Sequence, residues 1–112
     1  MQIWLKRAYD EPDKNDGFRV LVDRIWPRGI SREELKLDAW LKEISPSGDL
    51  RKWFGHDPQK WDEFKRRYFM ELKERKDPVE ELQVRIKQGR VTLVYAAHDQ
   101  EHNNAVALQR IS

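Results

Sequence analysis

Residues 18–26 read Phe-Arg-Val-Leu-Val-Asp-Arg-Ile-Trp, and the apolar run at 20–22 points to the fold class. Consecutive apolar residues are typical of a strand that is covered on both faces, as in a parallel sheet. A second run of this kind lies in Arg90–Ala97, near the other end of the chain. In Ile3–Tyr9, Ile3 and Leu5 alternate with other residues, which indicates a further strand. The sequence therefore predicts three strands, at Ile3–Tyr9, Phe18–Trp26 and Arg90–Ala97.

Helix signals fill the segment between the second and third strands. Ser31 and Glu34 form a capping-box pattern, which opens a helix. We expect this helix to run on, with a break allowed, through Ile44 and to end before Pro46. Cap and stop residues predict four further helices, from 47 or 49 to 55, from 57 to about 76, from 77 to 89, and from about 102 to the end.

This order of elements predicts a three-layer α/β domain whose short sheet is mainly parallel. The length of 112 residues suits one core, so residues 1–112 are expected to form a single domain. One alternative stays open at the first connection. Asp10–Gly17 has only eight residues, fewer than a parallel crossover usually needs. The first two strands are therefore either parallel, with an extended connection, or an antiparallel hairpin.

Composition excludes several classes of protein. The chain has no cysteine, which excludes a disulfide scaffold, a Cys-ligated zinc site and a cysteine nucleophile. The longest apolar run, at 91–97, is too short to cross a membrane, and no signal-peptide pattern begins the chain. We therefore expect a cytoplasmic protein with no membrane contact. No Gly-rich phosphate loop occurs, and we predict no cofactor.

Polar residues follow the predicted strands at their carboxyl ends, the edge where open α/β sheets bind ligands. We expect a crevice there that binds a small anion, with a nucleotide, a phosphate ester or a nucleic-acid end as the ligand class. The candidate residues are Arg7 and Tyr9 after the first strand, Asp23, Arg24, Trp26 and Arg28 after the second, and Tyr95, His98, Asp99, His102 and Asn103 after the third.

Roles for four of these residues follow from their chemistry. Arg24 and Arg28 suit a forked clamp on an anion. Asp23 and His98 are available to move a proton, which would suit hydrolysis if the protein is an enzyme. A structural alternative stays open, in which Asp23 accepts backbone N–H bonds or pairs with Arg28 and thereby shapes the turn.

The histidines allow a metal-site alternative. His98 and His102 are four residues apart, and His56 is the only other imidazole. Together with Asp23 they would form the ligand set of a metal-dependent hydrolase. In the structural alternative, Asp99 caps the last helix and His98 forms a hydrogen bond in the crevice. His56, in the aromatic corner at 53–58, is also a candidate for stacking on a ligand ring.

Basic runs at 65–67 and 73–76 raise a third hypothesis, a non-catalytic module that binds nucleic acid or protein. Acidic residues interleave with these runs, and the net charge is only +2. A solvated helix face therefore explains the runs without a nucleic-acid partner. The sequence leaves the oligomeric state open.

Six blocks of sequence occur in order along nearly the whole chain. They are KRAYD at 6–10, RVLVDRIWPRGI at 19–30, WLKEISPS at 40–47, LRKWFGHDP at 50–58, WDEFKRRY at 61–68 and GRVTLVYAAHDQEHNNA at 89–105. Together they resemble the YeaO-like branch of the family called domain of unknown function 488, a branch of uncharacterised small bacterial and archaeal proteins.

The resemblance implies an α/β domain with parallel strands throughout. In the broader family, a strand ending in Asp-x-Arg, with a Pro and an Arg shortly after, faces a Cys-His-Arg cluster that follows the last strand. On this chain the resemblance implies that Asp23, Arg24, Pro27 and Arg28 face residues 99–104. The chain departs from the family at 102–104, which read His-Asn-Asn with no Cys or Arg. Thiol chemistry is therefore not carried over.

Overall fold

A computed structural model describes residues 3–111 and confirms the α/β class. Met1, Gln2 and Ser112 lie outside the described residues, and so do the outer limits of the predicted domain and of its last helix. The described strands are β1 (Ile3–Arg7), β2 (Phe18–Leu21), β3 (Ala39–Trp40) and β4 (Val91–Tyr95), and the described helices are α1 (Arg32–Leu35), α2 (Gly48–Phe54), α3 (Trp61–Lys73), α4 (Lys76–Gln88) and α5 (Asn104–Ile111).

The sheet is parallel throughout, in the order β1-β4-β2-β3. Ile3 and Phe18 both pair with Val91, so β4 lies between β1 and β2 and the hairpin alternative is wrong. Residues 8–17 return to the start of β2 with a single 3-10 turn at Lys14–Asp16 and no longer helix. The Thr92 hydroxyl donates to the Asp16 carbonyl at 2.7 Å and attaches this crossing segment to the middle of the sheet.

Two apolar clusters produce the predicted three layers. On one face of the sheet, Val20 and Leu93 pack against side chains of α2, α3, α4 and α5. On the other face, Leu21 and Val94 pack against Ala8 of the crossing segment and against α1. Because successive strand residues point to opposite faces, the doubly apolar runs supply both clusters.

The segment from 36 to 44 differs from the prediction, since it is not a continuation of the helix. The capping box of Ser31 is present, but α1 ends at Leu35 because Lys36 adopts a left-handed conformation with φ of 51°. The Arg19 guanidinium donates hydrogen bonds to the Leu35 and Lys36 carbonyls. These carbonyls therefore already have a partner where a further helical turn would use them. Asp38 then accepts the Arg19 backbone N–H at 2.8 Å, and the chain continues as the edge strand β3.

Two other cap signals behave as predicted, whereas that of Asp77 is wrong: α3 ends at Lys73 and α4 begins at Lys76, so Asp77 lies within the first turn of α4. Ser47 caps α2, and Gly55, with φ of 53°, ends it. Asp57 caps a 3-10 turn at Pro58–Lys60 that leads into α3. The second strand is shorter than predicted, since β2 ends at Leu21 and the chain then turns around Asp23.

Candidate functional site

A cavity of about 410 Å³ lies at the carboxyl ends of β2 and β4. The loop after β2 forms one wall, α2 and the residues after it form a second, and the start of α5 forms a third. Eight of the predicted candidate residues line it: Tyr9, Asp23, Arg24, Trp26, Arg28, His56, His102 and Asn103. The topology therefore gathers most of the polar residues that the sequence placed at this edge.

Asp23 joins the ends of β2, β4 and α5. Its Oδ2 accepts the Ala96 N–H at 2.9 Å, and its Oδ1 accepts from the Asn104 amide at 3.0 Å. Asn104 also donates to the Val22 carbonyl at 2.9 Å. Burial raises the pKa of Asp23, against the opposing effect of these hydrogen bonds and of the nearby Arg51 charge. Asp23 thus makes the backbone contact of the structural alternative, and within residues 3–111 it forms no ion pair with Arg28.

Three guanidiniums line the cavity, on Arg24, Arg28 and Arg51. Among the described residues, none of the three forms an ion pair with a carboxylate. The cavity therefore presents three cations against the single carboxylate of Asp23. Arg51 was absent from the sequence prediction because it lies in the middle of a short helix, where no strand end or motif marks it.

The loop after β2 is held by side-chain contacts to its backbone. The Tyr9 hydroxyl donates to the Arg28 carbonyl at 2.9 Å, and the Trp26 indole donates to the Ile30 carbonyl at 2.8 Å. The Trp40 indole donates to the Asp23 carbonyl at 2.7 Å. These contacts place the Arg24 and Arg28 backbone while both side chains remain exposed.

Four predicted candidates do not line the cavity, namely Arg7, Tyr95, His98 and Asp99. Arg7 supports the segment after β4, since its guanidinium donates to the Ala97 carbonyl at 3.0 Å and to the Ala96 carbonyl at 3.3 Å. Tyr95 is buried, and burial raises the pKa of its hydroxyl. His98 is exposed. Its proton-transfer role stays a prediction.

His102 is the imidazole that Asp99 contacts. Its Nδ1 lies 3.0 Å from Asp99 Oδ2, and its ring packs edge-on against Trp61 with 5.4 Å between centroids. Asp99 Oδ1 accepts the Glu101 and His102 backbone N–H groups. The cap of α5 is Asn103, whose Oδ1 accepts the Val106 N–H at 2.9 Å.

The metal-site alternative is wrong in its geometry. Across residues 3–111, no group of three or more His, Asp and Glu side chains gathers closely enough to hold a metal ion. His56 and His102 line the cavity, whereas His98 is exposed outside it. His98 and His102 both precede α5, which begins at Asn104, so their four-residue spacing is not the helical spacing that would put both rings on one face.

Apolar side chains complete the cavity. Phe54 and Phe64 stack with 4.4 Å between ring centroids, and both belong to the buried core. Ile25 lies on the exposed side of the lining and is 65% exposed. His56, between Phe54 and the next helix, has a left-handed backbone with φ of 57°, a conformation that is uncommon for residues other than glycine. The site thus combines cations with an apolar wall.

No helix within the described residues is both long and apolar enough to cross a membrane. The fold and the cavity together define a small parallel α/β domain with a ligand-sized crevice at its strand ends. The chain belongs to the family called domain of unknown function 488, since the family model described as "Inactive DUF488-N3 subclade" matches residues 2–111. The match confirms the family that the sequence blocks indicated.

Individual relatives agree with this assignment. The chain is 41% identical over 108 residues to "Uncharacterized protein YeaO" of Escherichia coli strain K12, a match that covers 96% of this chain and 94% of the relative. It is 45% identical over 71 residues to "Uncharacterized protein Mb3100c" of Mycobacterium bovis, which covers 63% of this chain and 60% of the relative. No solved structure gives a significant match.

Proposed function

We propose that this protein binds a small organic anion in the cavity at the strand ends and does not transform it chemically. The observation that carries the proposal is the set of three cavity guanidiniums, on Arg24, Arg28 and Arg51, without carboxylate partners among the described residues. A guanidinium forms its strongest contacts with carboxylate or phosphate oxygens, often through two parallel hydrogen bonds. Three such groups around one cavity favour an anionic ligand.

Arginines elsewhere in the fold provide the contrast. Arg19 pairs with Asp16 at 2.7 Å, and Arg66 and Arg67 both pair with Glu63. Arg75 lies 3.5 Å from Glu71. Four arginines outside the cavity thus have carboxylate partners, whereas the three cavity arginines have none among the described residues and are available to an external anion.

The shape of the cavity favours an organic anion over an inorganic ion. Its volume of about 410 Å³ lies within the usual range for small-molecule sites. Phe54, Phe64 and Ile25 supply apolar surface beside the cations. A ligand with a phosphate or similar head and a flat apolar part, such as a nucleotide or an aromatic phosphate ester, would satisfy both parts of the lining.

Binding without catalysis agrees with the description of the matching family, which calls the subclade inactive. The hydrolytic scheme also required His98 to act together with Asp23. His98 is exposed and does not line the cavity, and both Asp23 oxygens already accept hydrogen bonds. We therefore leave hydrolysis out of the proposal.

No contact favours the basic helix face as a nucleic-acid site. Arg66 and Arg67 share Glu63, and these two guanidiniums lower the pKa of Glu63 to about 2. Lys65 lies 3.5 Å from Asp62. Three cations of this face are thus already in contact with two carboxylates, so we propose the cavity instead as the site for a nucleic-acid end.

The experiment is a calorimetric titration of the protein with adenosine 5′-monophosphate, phenyl phosphate and inorganic phosphate. We expect the two aromatic esters to bind at least about tenfold more tightly than inorganic phosphate, since they also bury apolar surface. In Arg51→Ala the affinity should fall about tenfold or more, because a hydrogen bond to a charged group is lost.

The matched control is Arg32→Ala, which removes the same charge from an exposed position outside the cavity. It should leave the affinity within about twofold of the unchanged protein, since surface charges at a distance are screened. Absence of binding by all three compounds, or equal losses in Arg51→Ala and Arg32→Ala, would reject the proposed site. Conversion of either ester during the titration would reject its non-catalytic character.

A further inference from the structure

His102 contacts Asp99 and also lines the cavity. Its Nδ1 lies 3.0 Å from Asp99 Oδ2, and its ring lines the cavity. The side chain of His102 is 29% exposed and that of Asp99 is 33% exposed, so neither is free in solvent. Trp61 packs against the imidazole and limits its rotation.

The contact with Asp99 selects the tautomer of the neutral imidazole. Hydrogen bonds from the Glu101 N–H and from the His102 side chain hold the pKa of Asp99 below its usual range, so Asp99 remains a carboxylate. An ionised carboxylate only accepts hydrogen bonds. The proton of a neutral His102 ring must therefore lie on Nδ1, which leaves Nε2 with a lone pair.

A lone pair repels an anion, whereas an N–H group binds one. We infer that His102 takes up a proton at Nε2 when an anion occupies the cavity, with Asp99 balancing the imidazolium from the other side. The ligand head then contacts an imidazolium together with the arginines. This inference rests on the proposed function, which it deepens by coupling anion binding to the uptake of one proton.

The charges around His102 are consistent with a protonation that depends on the bound anion. On its own segment His102 has Asp99 and the exposed Glu101. On the α3 side it meets the neutral Trp61 ring, whose face is covered by Lys65. The other charged or titratable groups of the cavity are Tyr9, Asp23, Arg24, Arg28, Arg51 and His56. A bound anion places a negative charge in the cavity that His102 lines, and a nearby negative charge favours the charged form of an imidazole.

The test is a titration with phenyl sulfate, whose ester carries one fixed charge across the pH range used, so any proton taken up is bound by the protein. Affinity is measured from about pH 5.5 to pH 8.5, where imidazoles titrate. We expect the affinity to fall with rising pH, approaching about tenfold per pH unit at the alkaline end. Titrations in two buffers of different ionisation enthalpy should give an uptake approaching one proton.

Asp99→Asn separates this inference from a merely structural role. An amide at position 99 donates to Nδ1, so the neutral ring carries its proton on Nε2 and can bind the anion without proton uptake. We expect Asp99→Asn to bind phenyl sulfate with little dependence on pH. His102→Gln should likewise lose the dependence, and it should also bind more weakly than the unchanged protein at low pH.

His56→Asn is the matched control, because it removes the other cavity imidazole and asparagine tolerates the left-handed backbone of that position. The pH dependence should persist in His56→Asn. Binding that is independent of pH in the unchanged protein, or a dependence lost in His56→Asn but kept in His102→Gln, would overturn the inference and leave the proposed function intact. Absence of binding at every pH would overturn the proposed function itself.

Discussion

The two ends of β2 carry similar residue types in opposite arrangements. At its amino end, the buried Asp16 and Arg19 pair with each other, and Asp16 also pairs with the half-buried Lys6 of β1; we call these three residues the amino-end cluster. Arg19 is 4% exposed, and its guanidinium donates to Asp16 and to two backbone carbonyls. After the strand, Arg24 and Arg28 line a cavity without a carboxylate partner among the described residues.

This difference separates a structural use of charge from a candidate functional one. In the amino-end cluster, every charge has a partner, and the cluster closes the crossing segment and the end of α1 onto the sheet. At the cavity, two neutral donors, the Ala96 N–H and the Asn104 amide, bind the Asp23 carboxylate. The cavity arginines have no carboxylate partner there and are available to a ligand. Charged residues beside an apolar strand can therefore be either structural ion pairs or a candidate binding site.

The largest expected effect is that of Asp16→Ala on stability. The substitution leaves the buried Arg19 charge without its carboxylate, and breaking a buried ion pair from one side costs about 3–5 kcal/mol of unfolding free energy. Urea denaturation measures the loss. Asp62→Ala is the control, since its side chain is 98% exposed in a 3.5 Å pair with Lys65; a loss in Asp16→Ala no larger than in this control would contradict the closed character of the cluster.

Substitutions at two glycines, one near each end of β2, allow the packing of the two ends to be compared. Both have positive φ, 69° at Gly17 and 81° at Gly29. A Cβ at Gly17 would lie 2.4 Å from the Arg90 carbonyl oxygen, whereas at Gly29 nothing lies within 4 Å. Gly17→Ala should lose about 3 kcal/mol of unfolding free energy through strain and overlap, and Gly29→Ala about 1 kcal/mol through strain alone. Equal losses in urea denaturation would show that both ends are packed alike.

Asp23→Ala should be less costly than Asp16→Ala, although both remove one carboxylate. It leaves the Ala96 N–H without its acceptor, while Asn104 keeps its bond to the Val22 carbonyl. An unsatisfied neutral donor costs about 1–3 kcal/mol. Denaturation of the two variants side by side checks the ranking, and a larger loss for Asp23→Ala would mean that Asp23 neutralises a cation after all.

The smallest expected effect is on the pH dependence of the unfolding free energy below neutral pH. There the carboxyl groups of Asp16 and Asp23 contribute with opposite signs. Although burial alone would raise it, hydrogen bonds from the Asp13 backbone, Lys6 and Arg19 lower the pKa of Asp16, so its stabilisation is present above its ordinary pKa and is lost as pH falls. Burial raises the pKa of Asp23, so its contribution is present below its ordinary pKa and is lost as pH rises.

Unfolding free energies measured between about pH 3 and pH 6 test these signs. Relative to the unchanged protein, the rise of stability with pH should be flatter in Asp16→Asn and steeper in Asp23→Asn. The same change of slope in both variants would contradict the opposite environments of the two carboxyls.

Much of the fold could be predicted from local signals. The run at 20–22 and its counterpart in Arg90–Ala97 predicted strands covered on both faces, and Ser31, Ser47 and Gly55 marked helix ends correctly. The strand β3 was missed, because Ala39 and Trp40 have no strand pattern of their own. They become a strand only because Arg19 ends α1 and Asp38 attaches the chain to β2.

The sequence predicted where the candidate site lies, but only some of the residues that line it. Asp23, Arg24, Arg28 and His102 follow strands whose carboxyl ends meet at one edge of the sheet, and this rule depends on topology alone. Arg51 and the stacked rings of Phe54 and Phe64 come from helices whose placement over the sheet depends on tertiary packing. The contact between Asp99 and His102 also required the geometry of the loop.

The sequence by itself determined the fold class, the family and the edge of the sheet where polar residues gather, because these depend on periodicity, ordered motifs and the direction of parallel strands. Only the tertiary structure decided which charges are paired. Pairing depends on distances of a few ångströms that the order of residues does not give. Arg19 lies 2.7 Å from Asp16, whereas Arg24, the direct neighbour of Asp23, forms no ion pair among the described residues. Charge pairing distinguishes the amino-end cluster from the cavity, so this distinction could be made only from the folded structure.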